Sequence, residues 1–373
     1  MAQAGTPSLQ PKKIGTWKIL LPVFIGVSVV LWMFYRDAKK QNLDEVWESI
    51  HFTPHVILFI FIAWLFMAGR DFGLIWRFRA LTDRDLSWKQ SMKVNFLCEF
   101  TSCITPSAVG GSSMGMVFMN SEGIEFGRAT TLMFTTLFLD ELFFVVSCPI
   151  IVFFTPIGEL FGGGDSEAFK YGLQLTFWIV YALIAAWTFI LFMGIIVRPK
   201  LIAGALAKIF SLKWLKRWQP AVITLGDNMI ATGKSLRKKP IKFWIETFGG
   251  TALTWTSRYL VVNALFIAFV PSADPYQWVI LARQFVVWVV LMASPTPGGS
   301  GISEWLFTEY YGNLIPSAGL ALIMAIFWRI ISYYVYLIIG ATLVPKWLRD
   351  SVERLRRNKA KETTEATDEN SAK

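Results

Sequence analysis

The sequence predicts an all-α polytopic membrane protein with six full spans, two re-entrant or broken helical hairpins and an inverted-topology repeat. Three observations support this fold class. First, 54% of the residues are apolar and 17% are charged, whereas a soluble domain is nearer a quarter charged. Second, apolar windows of about 20 residues, the length that crosses roughly 30 Å of hydrocarbon, recur along the chain. Third, two similar Gly/Pro/Ser-rich turns lie half a chain apart.

The expected spans are long apolar runs separated by charged loops. Two further apolar segments, 90–104 and 277–293, are too short to cross a bilayer comfortably, and each leads into a Gly/Pro/Ser-rich stretch. We therefore expect these two segments to form hairpins rather than full spans. The six spans are expected at 15–35, 55–76, 127–155, 171–197, 241–270 and 318–344.

The charges of the loops orient the spans. The loop at 198–242 carries eleven basic residues and one acidic residue, and residues 1–18 carry three lysines and no acid. The loop at 156–170 is acidic. By the positive-inside rule, the basic segments 1–18 and 198–242 are cytoplasmic and the acidic loop 156–170 is external. The sequence therefore predicts a multi-pass protein of the cell (inner) membrane with both termini in the cytoplasm.

This orientation gives the domain organisation. A cytoplasmic N-terminus at 1–14 precedes a transmembrane domain at 15–345, and a cytoplasmic tail at 346–373 is first basic and then disordered. Within the basic loop 198–240, apolar and basic residues alternate at helical spacing over 201–218, which favours an interfacial helix on the anionic inner leaflet. A solvated cytoplasmic helix is the alternative, and Trp214 and Trp218 favour the interface.

The two turns resemble each other closely. The first reads "TPSAVGGSSMG" at 105–115 and the second reads "SPTPGGSGISE" at 294–304, with their Gly-Gly-Ser elements 188 residues apart. The loop charges require the first hairpin to open from the cytoplasm and the second from outside. The halves 15–155 and 171–344 thus run in opposite senses, as in an inverted-topology repeat. The alternative is that these residues only kink spans for close packing, a role that would suit Gly111 and Gly115.

Proline and glycine in the membrane free backbone polar groups that hydrocarbon cannot satisfy. Irregular backbone at that depth persists only inside protein or along a wet cavity. Two breaks, one from each face, therefore predict a central site near the bilayer midplane. The ends of broken helices also direct N–H groups at an anion.

Several charged residues lie within the apolar runs, where they are costly and usually face the interior of a bundle. Guanidinium groups remain protonated and bind phosphate in a fork, so Arg258, Arg283 and Arg329 are candidate phosphate ligands. Asp140, Glu141 and Glu304 would balance charge, bind an amine or carry protons, and Glu99 precedes the first turn. Internal ion pairing that only orients helices is the alternative. Near the ends of spans, we expect Arg70, Asp71 and Arg128 to snorkel to the interface.

Other classes of function lack their signatures. The two histidines, His51 and His55, have no catalytic serine at their depth, and no HExxH, GxGxxG or P-loop motif occurs. We therefore expect no enzyme activity, no cofactor and no metal. The net charge of +10 lies in loops beside spans, where anionic lipid explains it better than nucleic acid. The three cysteines are expected to serve packing.

The two turns and their flanks resemble the flippase-like transmembrane domain of lysylphosphatidylglycerol synthases. The similarity covers about 15–345, and we expect a stand-alone member because no aminoacyl-transferase domain follows in this sequence. The resemblance implies lipid translocation or lipid handling. It points to Pro295, Pro297, Gly298, Gly299, Gly301, Glu304 and Arg329, and also to Pro106, Gly110 and Gly111.

The sequence as a whole therefore predicts a lipid flippase or transporter. A phosphate-bearing headgroup of a membrane phospholipid or glycolipid would enter a cavity between the repeats, with Ser112 and Ser300 in the turns beside it. The alternatives are an intramembrane lipid-modifying enzyme and a non-transporting lipid-binding protein. The lipid, the direction, the energy source and the oligomeric state are left open.

Overall fold

The computed structural model describes residues 52–105, 109–164, 166–212, 216, 219–294, 299 and 302–351. The expected N-terminus 1–14, the first expected span 15–35 and most of the tail 346–373 lie outside the described residues. Within them the chain is helical, with no strand. The predicted all-α polytopic class is confirmed.

The first half of the described chain contains four substantial helices and one short one. They are α1 (Pro54–Leu81), α2 (Trp88–Ile104), α3 (Val109–Ser121), α4 (Phe126–Phe154) and α5 (Ile157–Leu160). α1 ends in a tight turn, and a capping box between Ser87 and Gln90 starts α2. The carboxylate of Glu125 accepts hydrogen bonds from the backbone N–H groups of Gly127 and Arg128 and so caps α4.

The second half begins with a long helix that ends in a π-helical turn, Met193–Val197. It closes with a long helix that a second π-helical turn, Ile330–Tyr334, interrupts. A 3₁₀ turn, Pro271–Tyr276, leads directly into the helix Gln277–Met292. The α-helices are α6 (Glu167–Phe192), α7 (Pro199–Ile209), α8 (Gln219–Arg237), α9 (Ile241–Phe269), α10 (Gln277–Met292), α11 (Ile302–Tyr311), α12 (Ala318–Arg329) and α13 (335–351).

Six of the described helical segments are long and apolar enough to cross a membrane. Five coincide with expected spans. The sixth, Pro271–Met292, has 22 residues and corrects the expectation that 277–293 is too short, because that expectation left out the 3₁₀ turn. The six segments are Pro54–Leu81, Phe126–Phe154, Glu167–Val197, Ile241–Phe269, Pro271–Met292 and Gly319–Ser351.

The basic loop 198–240 forms two helices, α7 and α8, rather than one helix over 201–218. α7 ends at Ile209, and Trp214 and Trp218 lie outside the described residues. α8 packs on the start of α4, where a Cβ on Gly127 would lie 2.3 Å from the Cβ of Asn228. The Asn228 amide also donates to Glu125 at 2.9 Å. The loop is therefore attached to the bundle through α8.

The helices α1 and α9 form the most extensive contact in the described bundle. They meet through small residues, because the backbones approach closely at Gly73 and Gly250. A Cβ on Gly73 would lie 2.5 Å from the Thr254 hydroxyl and 2.7 Å from the Gly250 carbonyl oxygen. This close approach brings the polar faces of the two helices together inside the bundle.

We expect Gly73→Ala to destabilise the protein by about 1–3 kcal/mol, since the added methyl group must push α1 and α9 apart. Gly249→Ala is the matched control, because a Cβ there meets nothing within 4 Å. Unfolding of the purified variants in detergent measures the difference. Equal stability of the two variants would contradict the close approach.

Candidate functional site

A cavity of about 230 Å³ lies inside the bundle. Its walls come from α1, α2, α4, α9, α10, the segment that follows α10, and the junction of α12 with the π-helical turn after it. Aromatic and aliphatic side chains make up much of the wall, but its charge is unusual for a membrane interior. The charged residues that line it are Arg70, Arg77, Glu99, Asp140, Glu141, Arg258 and Arg329.

Arg70 joins α1 to α2. Its guanidinium lies 2.9 Å from the carboxylate of Asp71 and 2.5 Å from that of Glu99, and only 4% of the residue is exposed. The Tyr336 hydroxyl donates to Asp71 at 2.8 Å, while its ring lies 5.1 Å from the guanidinium. The expectation that Arg70 and Asp71 snorkel to the interface is therefore wrong, because both are paired inside the bundle.

Arg77 joins α1 to α4. Two of its nitrogens bind the two oxygens of Asp140 at 2.5 and 3.1 Å, and the first also donates to Thr251 at 3.0 Å. The Trp255 indole N–H donates to the same carboxylate at 2.8 Å. Asp140 is therefore already occupied by a bidentate partner and an indole.

Arg329 joins α12 to α11. Its Nε lies 2.7 Å from a carboxylate oxygen of Glu304, and its guanidinium is 3.8 Å from the Tyr333 ring centroid. The Ser303 hydroxyl donates to the other oxygen of Glu304 at 2.9 Å. Glu304 stands in the first turn of α11, so the pair links the start of α11 to the end of α12.

Arg258 differs from the other arginines of the cavity. Its guanidinium lies 4.6 Å from the Trp288 ring centroid and 5.9 Å from that of Trp255. It makes no ion pair or hydrogen bond with the part of the chain that the structure describes. Cation–π contacts hold the guanidinium without neutralising its charge. Arg258 therefore presents to the cavity a positive charge that no described carboxylate contacts.

Glu141 is the corresponding acidic case. It is 7% exposed and lines the cavity. One of its carboxylate oxygens is fully buried without a hydrogen-bond partner among the described residues. Its neighbour Asp140 is bound to Arg77, so the two adjacent carboxylates have different environments.

Arg283 is not part of the cavity. Its guanidinium donates to the carbonyl oxygens of Glu159 and Tyr310 and to the side-chain oxygen of Asn313, at 2.7–3.1 Å. The first carbonyl belongs to the short helix α5 and the second to the last turn of α11. The expectation that Arg283 binds phosphate in the central site is corrected, because its donors already serve these helix ends.

The two turns are only partly described. Of the turn residues named from the sequence, Gly299 lines the cavity and has a φ of +70°, which a residue with a side chain adopts only with strain. Gly110, Gly111 and Ser112 lie at the start of α3. Pro106, Pro295, Pro297, Gly298, Ser300 and Gly301 lie outside the described residues.

Sequence reasoning missed Arg70 and Arg77 as cavity residues. A signal was present, because Arg70, Leu74 and Arg77 follow the i, i+4, i+7 spacing of one helix face, and all three line the cavity. Arg128, in contrast, is half-buried near the start of α4, outside the cavity, where it pairs with Asp83 and Asp85.

The three cysteines are buried with free thiols, as expected of packing residues. Cys98 and Cys103 lie on α2 and contribute to the wall of the cavity. No disulfide connects the helices through them.

Membrane-length helices around a charged internal chamber define a multi-pass helical membrane protein. Residues 19–340 match the family described as the lysylphosphatidylglycerol synthase TM region, and the chain belongs to this family. The chain is also similar to a "UPF0104 membrane protein" of Archaeoglobus fulgidus, with 23% identity over 330 residues, which cover 87% of this chain and 95% of the relative. No solved structure matches this chain significantly.

Proposed function

We propose that this protein is a lipid flippase or transporter of the cell membrane that moves a phosphate-bearing headgroup through the central cavity. The observation that carries the proposal is the guanidinium of Arg258, which lines that cavity and contacts no described carboxylate. A charge inside a membrane bundle is costly when no carboxylate contacts it. An anionic ligand would remove that cost, and this differential stabilisation is what a binding site requires.

The other three arginines support this assignment by contrast. Arg70, Arg77 and Arg329 each have a carboxylate at 2.5–2.7 Å, so their charges are largely satisfied within the protein. They can orient the site and donate further hydrogen bonds at its edge. The first group to bind an incoming phosphate is therefore Arg258, since a guanidinium binds two phosphate oxygens in a fork.

The size of the cavity favours a headgroup over a whole lipid. Sites that enclose drug-sized ligands are typically about 300–1,000 Å³, whereas this cavity is about 230 Å³. The acyl chains would then remain in the bilayer while the headgroup crosses. The phosphate is the part of the lipid that hydrocarbon rejects most strongly, so a polar chamber lowers the main barrier to flipping.

Alternating access would come from an inverted repeat. α1 and α9 occupy corresponding positions in the two proposed halves and pack on each other through Gly73 and Gly250. The helix pairs α2–α3 and α10–α11 also correspond, and each contributes to the cavity or to its ion pairs. Rocking of one half against the other about this contact would open the chamber to each side in turn.

Reconstitution tests the function. The purified protein is placed in phosphatidylcholine vesicles with acyl-labelled NBD-phosphatidylglycerol, and dithionite bleaches the label that reaches the outer leaflet. We expect Arg258→Ala to slow flipping by roughly 10–100-fold, the equivalent of a lost charged hydrogen bond of about 1.5–3 kcal/mol.

Arg128→Ala is the matched control, because that arginine lies near the start of α4 and does not line the cavity, so its loss should leave the rate unchanged. A labelled glucosyl diacylglycerol, which has no phosphate, should move more slowly than phosphatidylglycerol. Equal rates for wild type, Arg258→Ala and protein-free vesicles would refute the proposal. Recovery of a chemically altered lipid by mass spectrometry would favour the lipid-modifying enzyme instead.

A further inference from the structure

Glu141 is the buried acidic group of the cavity that none of the ion pairs uses. It lies on α4, is 7% exposed, and lines the same chamber as Arg258. Its buried carboxylate oxygen lacks a hydrogen-bond partner in the described ranges. An ionised carboxylate in this position costs free energy unless a cation reaches it.

The charged groups around Glu141 are arranged so that none of them supplies that cation. Asp140, next to it in the chain, is a like charge, and Arg77 of α1 is committed to Asp140 by two contacts. Arg258 of α9 lies over Trp288. Among the described residues of the chamber, therefore, no cationic side chain pairs with the carboxylate of Glu141.

The remaining helices that pack on α4 bring no charge to Glu141. The sequence of α3 contains no ionisable residue. α8 meets α4 at Gly127, fourteen positions before Glu141, so its basic residues lie at the far end. On α10, Arg283 is bound to the carbonyl oxygens of Glu159 and Tyr310. On α6, the Tyr181 hydroxyl donates to the carbonyl of Val145, and Glu167 and Lys170 pair at its start.

We propose that Glu141 takes up one proton for each headgroup that enters the cavity, so that the protein is a proton–lipid symporter. This inference rests on the proposed function. A phosphate bound at Arg258 and an ionised Glu141 would place two like charges in one small chamber inside the bundle. One proton added to the Glu141 carboxylate gives the neutral acid and removes that repulsion. Release of the proton on the far side restores the carboxylate and expels the phosphate.

The cycle predicts that a pH gradient drives lipid between leaflets. We use the reconstituted full-length protein with acyl-labelled NBD-phosphatidylglycerol, and set the vesicle interior more alkaline or more acidic than the exterior. With one proton per lipid, the ratio of label between leaflets should shift by about tenfold per pH unit, with accumulation in the leaflet that faces the alkaline side. Glu141→Gln, which cannot exchange a proton, should lose this response.

Glu167→Gln is the matched control, because that carboxylate is exposed and pairs with Lys170 at the start of α6. It should retain the full gradient response. Wild-type protein that moves lipid at uniform pH but ignores the gradient overturns the symport while the proposed function stands. A Glu141→Gln protein that keeps the full response also overturns it. If that variant moves no lipid at all, the wild-type response alone decides. Absence of movement by the wild type at uniform pH instead refutes the proposed function.

Discussion

Replacement of Asp140 by alanine is expected to destabilise the protein by about 3–5 kcal/mol. The substitution leaves the guanidinium of Arg77, which is 1% exposed, without its carboxylate in the interior of a membrane bundle. It also removes the acceptor of the Trp255 indole. Because Arg77, Asp140 and Trp255 belong to α1, α4 and α9, the loss is felt in three helices at once. Denaturant titration of the purified protein in detergent measures the change in the free energy of unfolding.

Two comparisons separate the buried pair from charge in general. In Arg77→Met/Asp140→Leu both charges are gone, so the double variant should be considerably more stable than Asp140→Ala alone. Asp83→Ala breaks the contacts of a half-exposed carboxylate with Arg128 and Lys239 and should cost less than about 1 kcal/mol. If Asp140→Ala also lost less than about 1 kcal/mol of stability, the Arg77–Asp140 pair would not be a structural link.

The Arg77–Asp140 pair also shows what the sequence can predict and what it cannot. Hydrophobic runs placed α4 and α9 to within a residue, since a membrane span must be apolar throughout and is therefore readable locally. The span predicted from the sequence ends at residue 76, because the basic residues from Arg77 onward are typical of a loop. The helix continues to Leu81, and within it Arg77 pairs with Asp140, 63 positions further along the chain. Local periodicity cannot predict a partner so distant in sequence.

The same reason explains the arginines of the second half. Arg258 and Arg283 both lie in apolar runs, and both looked suited to phosphate. Their roles depend on which groups surround them. Arg258 meets aromatic rings, whereas Arg283 meets carbonyl oxygens at the ends of two short helical segments. The existence of buried arginines could be predicted from composition and depth, but the partner of each arginine required the packed bundle.

This difference leads to the second large effect. We expect Arg283→Ala to destabilise the protein by more than about 3 kcal/mol, because it leaves the carbonyls of Glu159 and Tyr310 and the amide of Asn313 without a buried donor, at about 1–3 kcal/mol each. Arg283→Lys should fall between wild type and alanine, since an ammonium cannot reproduce the fork of the guanidinium. Arg349→Ala, at an arginine whose side chain is 71% exposed, is the control and should be nearly neutral. The same denaturant titration measures all three.

Comparison of Arg283→Ala with Arg258→Ala divides structure from transport. Arg258 has no polar partner within the described chain to strand, so its removal should leave unfolding nearly unchanged or even stabilise the apo protein, while it slows flipping. Arg283→Ala should unfold early, yet the fraction that remains folded should flip lipid at the wild-type rate per molecule. A folded Arg283→Ala protein that moves no lipid would return Arg283 to the binding site and contradict its assignment to the helix ends. The two arginines thus test the site from opposite directions, one through rate and the other through stability.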